Sequence, residues 1–263
     1  MKRLATVLLL NLGVISSLTN AAVAENPATA PEELTEVISA IETAANERDI
    51  EELVEYYSPD FTNTDGLTTD TLAKALEQMW QNYSQLEYIT EIESWSEEGG
   101  QLIAETKTTI TGVKDDRGRE ARLNSTIRSR QYFESQKLVR QDILAEQSRL
   151  TSGENPPEVV IKAPTMVEVG KKYNFDLIVD RPLGDKVLLG AVREEKTAGN
   201  LYLNPIGLEL EPLPAGGIYK IATAPLLPES NWLSAVVVRG DGITTIAHRV
   251  NIEETETTTD SSQ

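Results

Sequence analysis

Few side chains in this chain could do chemistry, and their types narrow what that chemistry is. There is no cysteine and one histidine among the 263 residues, which removes disulfides, thiolate metal ligands and a cysteine nucleophile. His248 alternates with Ile246, Val250 and Ile252, so it reads as a core or rim histidine on one face of a strand rather than a catalytic one. The first half of the chain has neither His nor Cys. A histidine-carboxylate metal site, a Ser-His-Asp triad and a G-x-S-x-G elbow are therefore unavailable there. No Gly-rich phosphate loop or basic-aromatic nucleic-acid surface is present, and no metal or cofactor is expected. Arg239-Gly240-Asp241 spells a cell-adhesion tripeptide, but with Gly242 behind it a tight turn between two strong strands explains it. What remains is carboxylates, hydroxyls and amides, with Asp65 in Asn63-Thr64-Asp65-Gly66, a good turn sequence.

The elements that must position such groups are legible from periodicity. Pro31 can open a helix whose inward face is Leu34, Ile38, Ile41 and Ala45. Asp49, with Glu52 three residues on, makes a capping-box-like start for a short second helix with the stripe Ile50, Leu53, Val54 and Tyr57. Pro59 cannot continue that helix, so a turn is expected at Ser58 to Asp60. A third helix from about Asp70 turns Leu72, Leu76, Met79, Trp80 and Tyr83 inward, a stripe that reads as core. Strands are expected at 86–96, 101–114, 119–134 and 137–146, an antiparallel meander that the helices cover as an α+β layer. In 119–134 a period of two assigns Ala121, Leu123, Ser125, Ile127, Ser129, Gln131 and Phe133 to the concave, helix-covered face.

A helix closing on Asn46-x-x-Asp49, a short helix ending in Tyr56-Tyr57, then Ser58-Pro59-Asp60-Phe61 and Asp65-Gly66 resembles the nuclear transport factor 2-like superfamily. That α+β cone is shared by steroid isomerases, SnoaL-type cyclases and many non-catalytic modules, and the resemblance covers about residues 31–147. It implies a cavity lined by Ile41, Tyr57, Leu123, Ser125, Ile127, Ser129, Gln131 and Phe133. It also implies that Asp65, nineteen residues after Asn46, is a general base with a pKa raised by burial. The partners of such a base do not match. The tyrosine that steroid isomerases carry five residues before the Asn is Ile41, and their acidic hydrogen-bond donor falls on Gln131. Donors for a developing enolate are then missing, and turn residue and general base both stand as readings of Asp65.

Lys2, Arg3, an apolar run from Leu4 and Ala22-Val23-Ala24 read as a signal peptide over residues 1–24. The alternative, a retained anchor, is short of the ~20 apolar residues a bilayer needs. Cleavage would carry the net charge from −18 to −20, which disfavours nucleic acid and anionic lipid as partners. Residues 25–106 hold 20 acidic and 2 basic side chains, whereas 107–149 hold 6 and 10. That asymmetry reads either as a basic sheet face for an acidic partner or a second copy, or as a solvated face with cross-strand ion pairs.

A polar linker is expected at 151–157, between an α+β domain over 25–150 and a second domain over 158–252. The latter has short strands at 158–162, 173–180, 186–193, 201–203, 208–211, 218–222, 232–239 and 244–252, which indicates an immunoglobulin- or fibronectin-like β-sandwich. Residues 253–263 read as a disordered acidic tail. Each domain is expected to fold by itself. The whole reads as an exported, periplasmic or secreted, non-enzymatic protein whose cone binds a small apolar molecule or a protein partner, with a homodimer through its sheet as one arrangement. The alternative is a SnoaL-like or steroid isomerase-like isomerase, cyclase or dehydratase using Asp65.

Overall fold

The computed structural model describes residues 24–116, 118–180, 187–204, 207–213 and 216–254. Helices α1 (Glu32–Glu47) and α2 (Ile50–Glu55) lead to strand β1 (Tyr57–Asn63) and helix α3 (Thr69–Asn82). The long strands β2 (Gln85–Glu98), β3 (Gln101–Asp115), β4 (Glu120–Glu134) and β5 (Lys137–Gly153) follow. The rest is β6 (Val159–Lys162), β7 (Met166–Glu168), β8 (Lys172–Val179), β9 (Leu189–Lys196), helix α4 (Gly199–Leu203), β10 (Glu211–Pro212), β11 (Gly217–Thr223), β12 (Glu229–Arg239) and β13 (Gly242–Glu253). The chain is mostly β, with few helices.

Local chemistry fixes the helix ends. The Asp49 carboxylate accepts from the Glu52 amide and starts α2, while Thr68 and Thr71 form a capping box on α3. Between α1 and α2, Arg48 takes a left-handed conformation (φ 58°). Its guanidinium donates to the Trp80, Tyr83 and Ser84 carbonyls, so the turn that ends α1 also secures the end of α3. Asn46 clamps α1 to the sheet by accepting from the Tyr88 amide and donating to the Tyr88 carbonyl.

The strands form a sheet in the order β10-β9-β12-β13-β5-β4-β3-β2, with β1 on β5 and β7 on β13, and a second sheet β11-β8-β6. The seventeen-residue β5 is its spine: it pairs with β4 along its length, with β1 through Leu138, and with β13 from Gln147 to Gly153. The two halves of the chain thus share one hydrogen-bonded sheet. The expected linker is strand up to Gly153, and the segment after it is held by the Asn155 amide on the Asp241 carbonyl. The expected turn at 58–60 is instead β1, where Pro59 is tolerated because β1 is an edge strand. The expected strand at 201–203 is α4, and 208–211 shortens to β10. The expected signal segment, apart from Ala24, and most of the expected tail lie outside the described residues, and Glu253 ends β13.

Two core clusters, one around Leu34, Phe61 and Phe133 and one around Leu53, Trp80 and Ile110, lie under the helices. A third, around Phe175, Leu233 and Ile246, fills the space between β12-β13 and the small sheet. On the far face of β2-β4, ion pairs Lys107–Glu91, Arg128–Glu93 and Arg130–Glu105 join the basic and acidic stretches across strands. Exposed pairs of this kind contribute about 0–1 kcal/mol each.

Candidate functional site

Helices α1 to α3 do not close fully onto the sheet, and a cavity of about 540 Å³ remains between them. Its walls are mainly aliphatic: Ile38 and Ile41 from α1, Leu72, Leu76 and Met79 from α3, and Ile110, Leu123 and Ile127 from the strands. Among the lining groups the exposed ones include Gln78 and Asn82 on α3. The polar lining is neutral over much of the sheet, with the Ser125 and Ser148 hydroxyls 2.7 Å apart and Gln131 beside Gln141 in register. Tyr57 reaches the cavity from the start of β1, and burial pushes its phenol up, so it stays protonated.

Of the residues expected to line this cavity, Ile41, Tyr57, Leu123, Ser125, Ile127 and Gln131 do so. Ser129 and Phe133 do not. Phe133 is consumed by the core with Leu34, Phe61 and Leu138. Ser129 is 1% exposed, its hydroxyl 3.1 Å from that of Thr106 and accepting from the Gln141 amide. Two irregularities in the β4–β5 pairing explain part of what strand alternation missed. Ser129 faces Ile143 while Arg128 faces Ala145, so Leu144 is an extra residue, and Val139 is another. A bulge of this kind bends the strand and resets which residues share a face. Ile143 and Glu146, three apart, both line the cavity as a result.

Asp65 sits at one edge of this region but is not part of the cavity wall. Its loop is a turn, as its sequence suggests, yet Asn63 does the turn's work by accepting from the Asp65 and Leu67 amides. The Asp65 side chain instead meets the second half of the chain. Arg249 on β13 donates to both carboxylate oxygens at 2.9 and 2.6 Å, and the Tyr202 hydroxyl on α4 donates at 2.7 Å. Both side chains of the ion pair are 0% exposed.

Burial by itself would raise the Asp65 pKa. The hydrogen bonds and charge of Arg249, with Tyr202 and Thr197, outweigh it and hold the carboxyl below its ordinary 3.8. The raised pKa expected of a general base is thus corrected in direction: a guanidinium stands where an apolar wall was assumed. A carboxylate with both oxygens bonded and its proton affinity lowered is poorly suited to take a proton from a substrate.

The sheet explains how Arg249 comes to be there. Trp232 and Arg249 are register partners on β12 and β13. One step on from the His248–Gln147 pair, Arg249 faces Glu146 of β5. The Trp232 indole donates to Glu146 at 2.9 Å, Arg249 reaches the same oxygen at 3.2 Å, and the guanidinium lies 5.6 Å from the indole centroid. Tyr202 packs edge-on against Trp232 and lines the cavity together with Glu146. Glu146, Tyr202 and Trp232 carried no signal in the sequence, whereas Arg249, an arginine between Ile246 and Ile252 on a strongly apolar strand, was a cue to buried pairing.

His248 faces the opposite way, 6% exposed, with Nε2 2.9 Å from the Pro164 carbonyl. Arg239 and Asp241 bond to each other at 2.6 Å across their turn, and Arg239 also donates to the Asn155 carbonyl. The tripeptide is thus structural. Among the described residues no His, Asp or Glu group is arranged to hold a metal ion, and no helix is long and apolar enough to cross a membrane.

A family described as a domain of unknown function (DUF8623) matches residues 154–253. No curated protein matches the chain. Among solved structures, the Bdellovibrio bacteriovorus protein Bd1075 is similar over 42% of this chain at 15% identity with a TM-score of 0.31, and the chain covers 38% of that protein's length. A Mycobacterium tuberculosis LEH-like epoxide hydrolase is similar over 42% of this chain and 80% of its own at 12% identity, TM-score 0.31. A Nostoc punctiforme protein of unknown function with a cystatin-like fold is similar over 42% and 86% at 15% identity, TM-score 0.30. Scores this low carry no weight for function, which rests on the cavity and the groups around it.

Proposed function

We propose that this chain is an exported, non-enzymatic binding protein whose first half, an α+β cone, holds a small apolar molecule between its helices and its sheet. The second half, a β-sandwich in this reading, stiffens one end of that cavity through Tyr202 and Arg249. The observation that carries the proposal is a largely aliphatic cavity of about 540 Å³ from whose wall Asp65, the carboxylate a steroid isomerase-like mechanism would use, is missing, held instead by Arg249. A space of that size suits a small molecule, since ligand sites commonly span ~300–1,000 Å³. An isomerase or cyclase would need a free base and an acidic donor facing one another across the cavity. Export rests on the charged start, apolar run and Ala-x-Ala of the first 24 residues.

The test is titration with a neutral apolar fluorophore such as Nile red, in the whole chain and in Ala75→Trp, which adds an indole to the cavity wall. Saturable binding that is lost in the variant is expected. Absence of saturable binding, or turnover of a ketosteroid that disappears in Asp65→Asn, would overturn the reading.

A further inference from the structure

The electrostatics of the cavity point to more than apolarity. Among the described residues no Lys, Arg or His lines it, whereas two carboxylates, Glu146 and Glu42, do. Arg249 pairs with Glu146, but it is committed mainly to Asp65. Both Asp65 oxygens are bonded to it, while Glu146 receives a single longer contact of 3.2 Å. Two carboxylates therefore share one buried guanidinium, and Glu146 is the member of the three that faces the cavity. An excess negative charge beside an apolar space is poorly solvated, and a cation delivered to that space is attracted far more strongly than it would be in water. Glu42 adds a second negative group, one of whose oxygens accepts from the Thr90 amide.

The aromatic lining favours the same sign. Tyr57, Tyr83, Tyr88 and Tyr202 contribute to the wall, and burial pushes each phenol up, so they remain neutral aromatic groups; the Tyr83 ring already carries the Lys114 ammonium at 5.3 Å. Ring faces attract ammonium groups and repel carboxylates.

We infer that the cavity takes an apolar molecule bearing a protonated amine, its ammonium group seated against Glu146, and that it rejects the corresponding acids. This rests on the cavity-binding reading and narrows it to one chemical class. The test is calorimetric titration of the whole chain at neutral pH with three probes of one shape: naphthylmethylamine, naphthalenemethanol and naphthoic acid. The amine is expected to bind about tenfold or more tighter than the alcohol, as a charge-assisted hydrogen bond allows, and the acid weakest of the three. In Glu146→Gln, which keeps an acceptor for Trp232, most of the amine's advantage over the alcohol, compared within that variant, should disappear.

An amine that binds no tighter than the alcohol, or a preference undiminished in Glu146→Gln, overturns the inference. Retained alcohol binding would then leave the apolar-binding reading standing. Failure of all three probes to bind removes both. Should Glu146→Gln not fold, the ranking of the three probes on the native chain decides by itself.

Discussion

Arg249 holds Asp65 by two hydrogen bonds across 184 residues of sequence, in a pair with no exposed side-chain surface. Removing one partner of a buried pair strands the other's charge, at a cost of ~3–5 kcal/mol. Arg249→Met should therefore lower stability by about that much, because it leaves both Asp65 and Glu146 without their cation. Asp65→Asn should cost less, since Glu146 still faces Arg249. Chemical denaturation of both variants and their double mutant checks this. A double mutant whose loss equals the sum of the singles would mean that the two residues do not interact.

The same pair sets a pH dependence. The folded-state pKa of Asp65 lies below its ordinary 3.8, so below that value the unfolded chain binds the proton more readily than the folded one. The pair's stabilisation is complete above the ordinary carboxylate value, and is lost as pH falls through the folded one. Melting temperature should drop through this acid range more steeply in the native chain than in Asp65→Asn. Parallel curves for the two proteins would contradict the assignment.

Independence of the two halves, expected from the composition of the linker, is opposed by the shared sheet. A fragment ending at Leu150 loses the β13 partner of β5 and the guanidinium that faces Asp65. It should melt below the whole chain and associate through its bared β5 edge, as light scattering would detect. A monomeric fragment as stable as the whole chain would restore the independent-domain reading.

Cavity filling separates two small residues, Ala75 and Ser129. Ala75 lines the cavity, whereas Ser129 is buried behind its wall with Thr106 and Gln141. Ala75→Trp should abolish probe binding with little change in melting. Ser129→Trp should destabilise the fold by roughly 1–3 kcal/mol through overpacking, whatever it does to binding.

Two glycines near one turn give a contrast of a different kind. A Cβ on Gly242 would stand 2.5 Å from the Pro156 Cα, whereas one on Gly240 meets nothing within 4 Å. Gly242→Ala should cost ~1–3 kcal/mol and Gly240→Ala at most about 0.5 kcal/mol, measured as shifts in denaturant midpoint.

The sequence determined the local elements. Apolar spacing marked α1 to α3 and the four long strands, because a helix or strand that buries one face must repeat its apolar residues at its own period. The same rule placed Leu123, Ser125, Ile127 and Gln131 on the cavity side of β4. Alternation along β13 likewise gave His248 its place on the face of Ile246 and Val250.

Tertiary structure decided the site's chemistry. Whether Asp65 is a base or an anchored carboxylate depends on Arg249, and their meeting follows from β13 pairing with β5, a contact that no local period encodes. Glu146 reached the cavity because an extra residue in β5 reset the strand's faces. Tyr202 reached it on a single turn of helix where β-propensity suggested strand. A pKa answers to the charges and water around a group in space, so the direction of Asp65's shift was fixed only when the two ends of the chain came together.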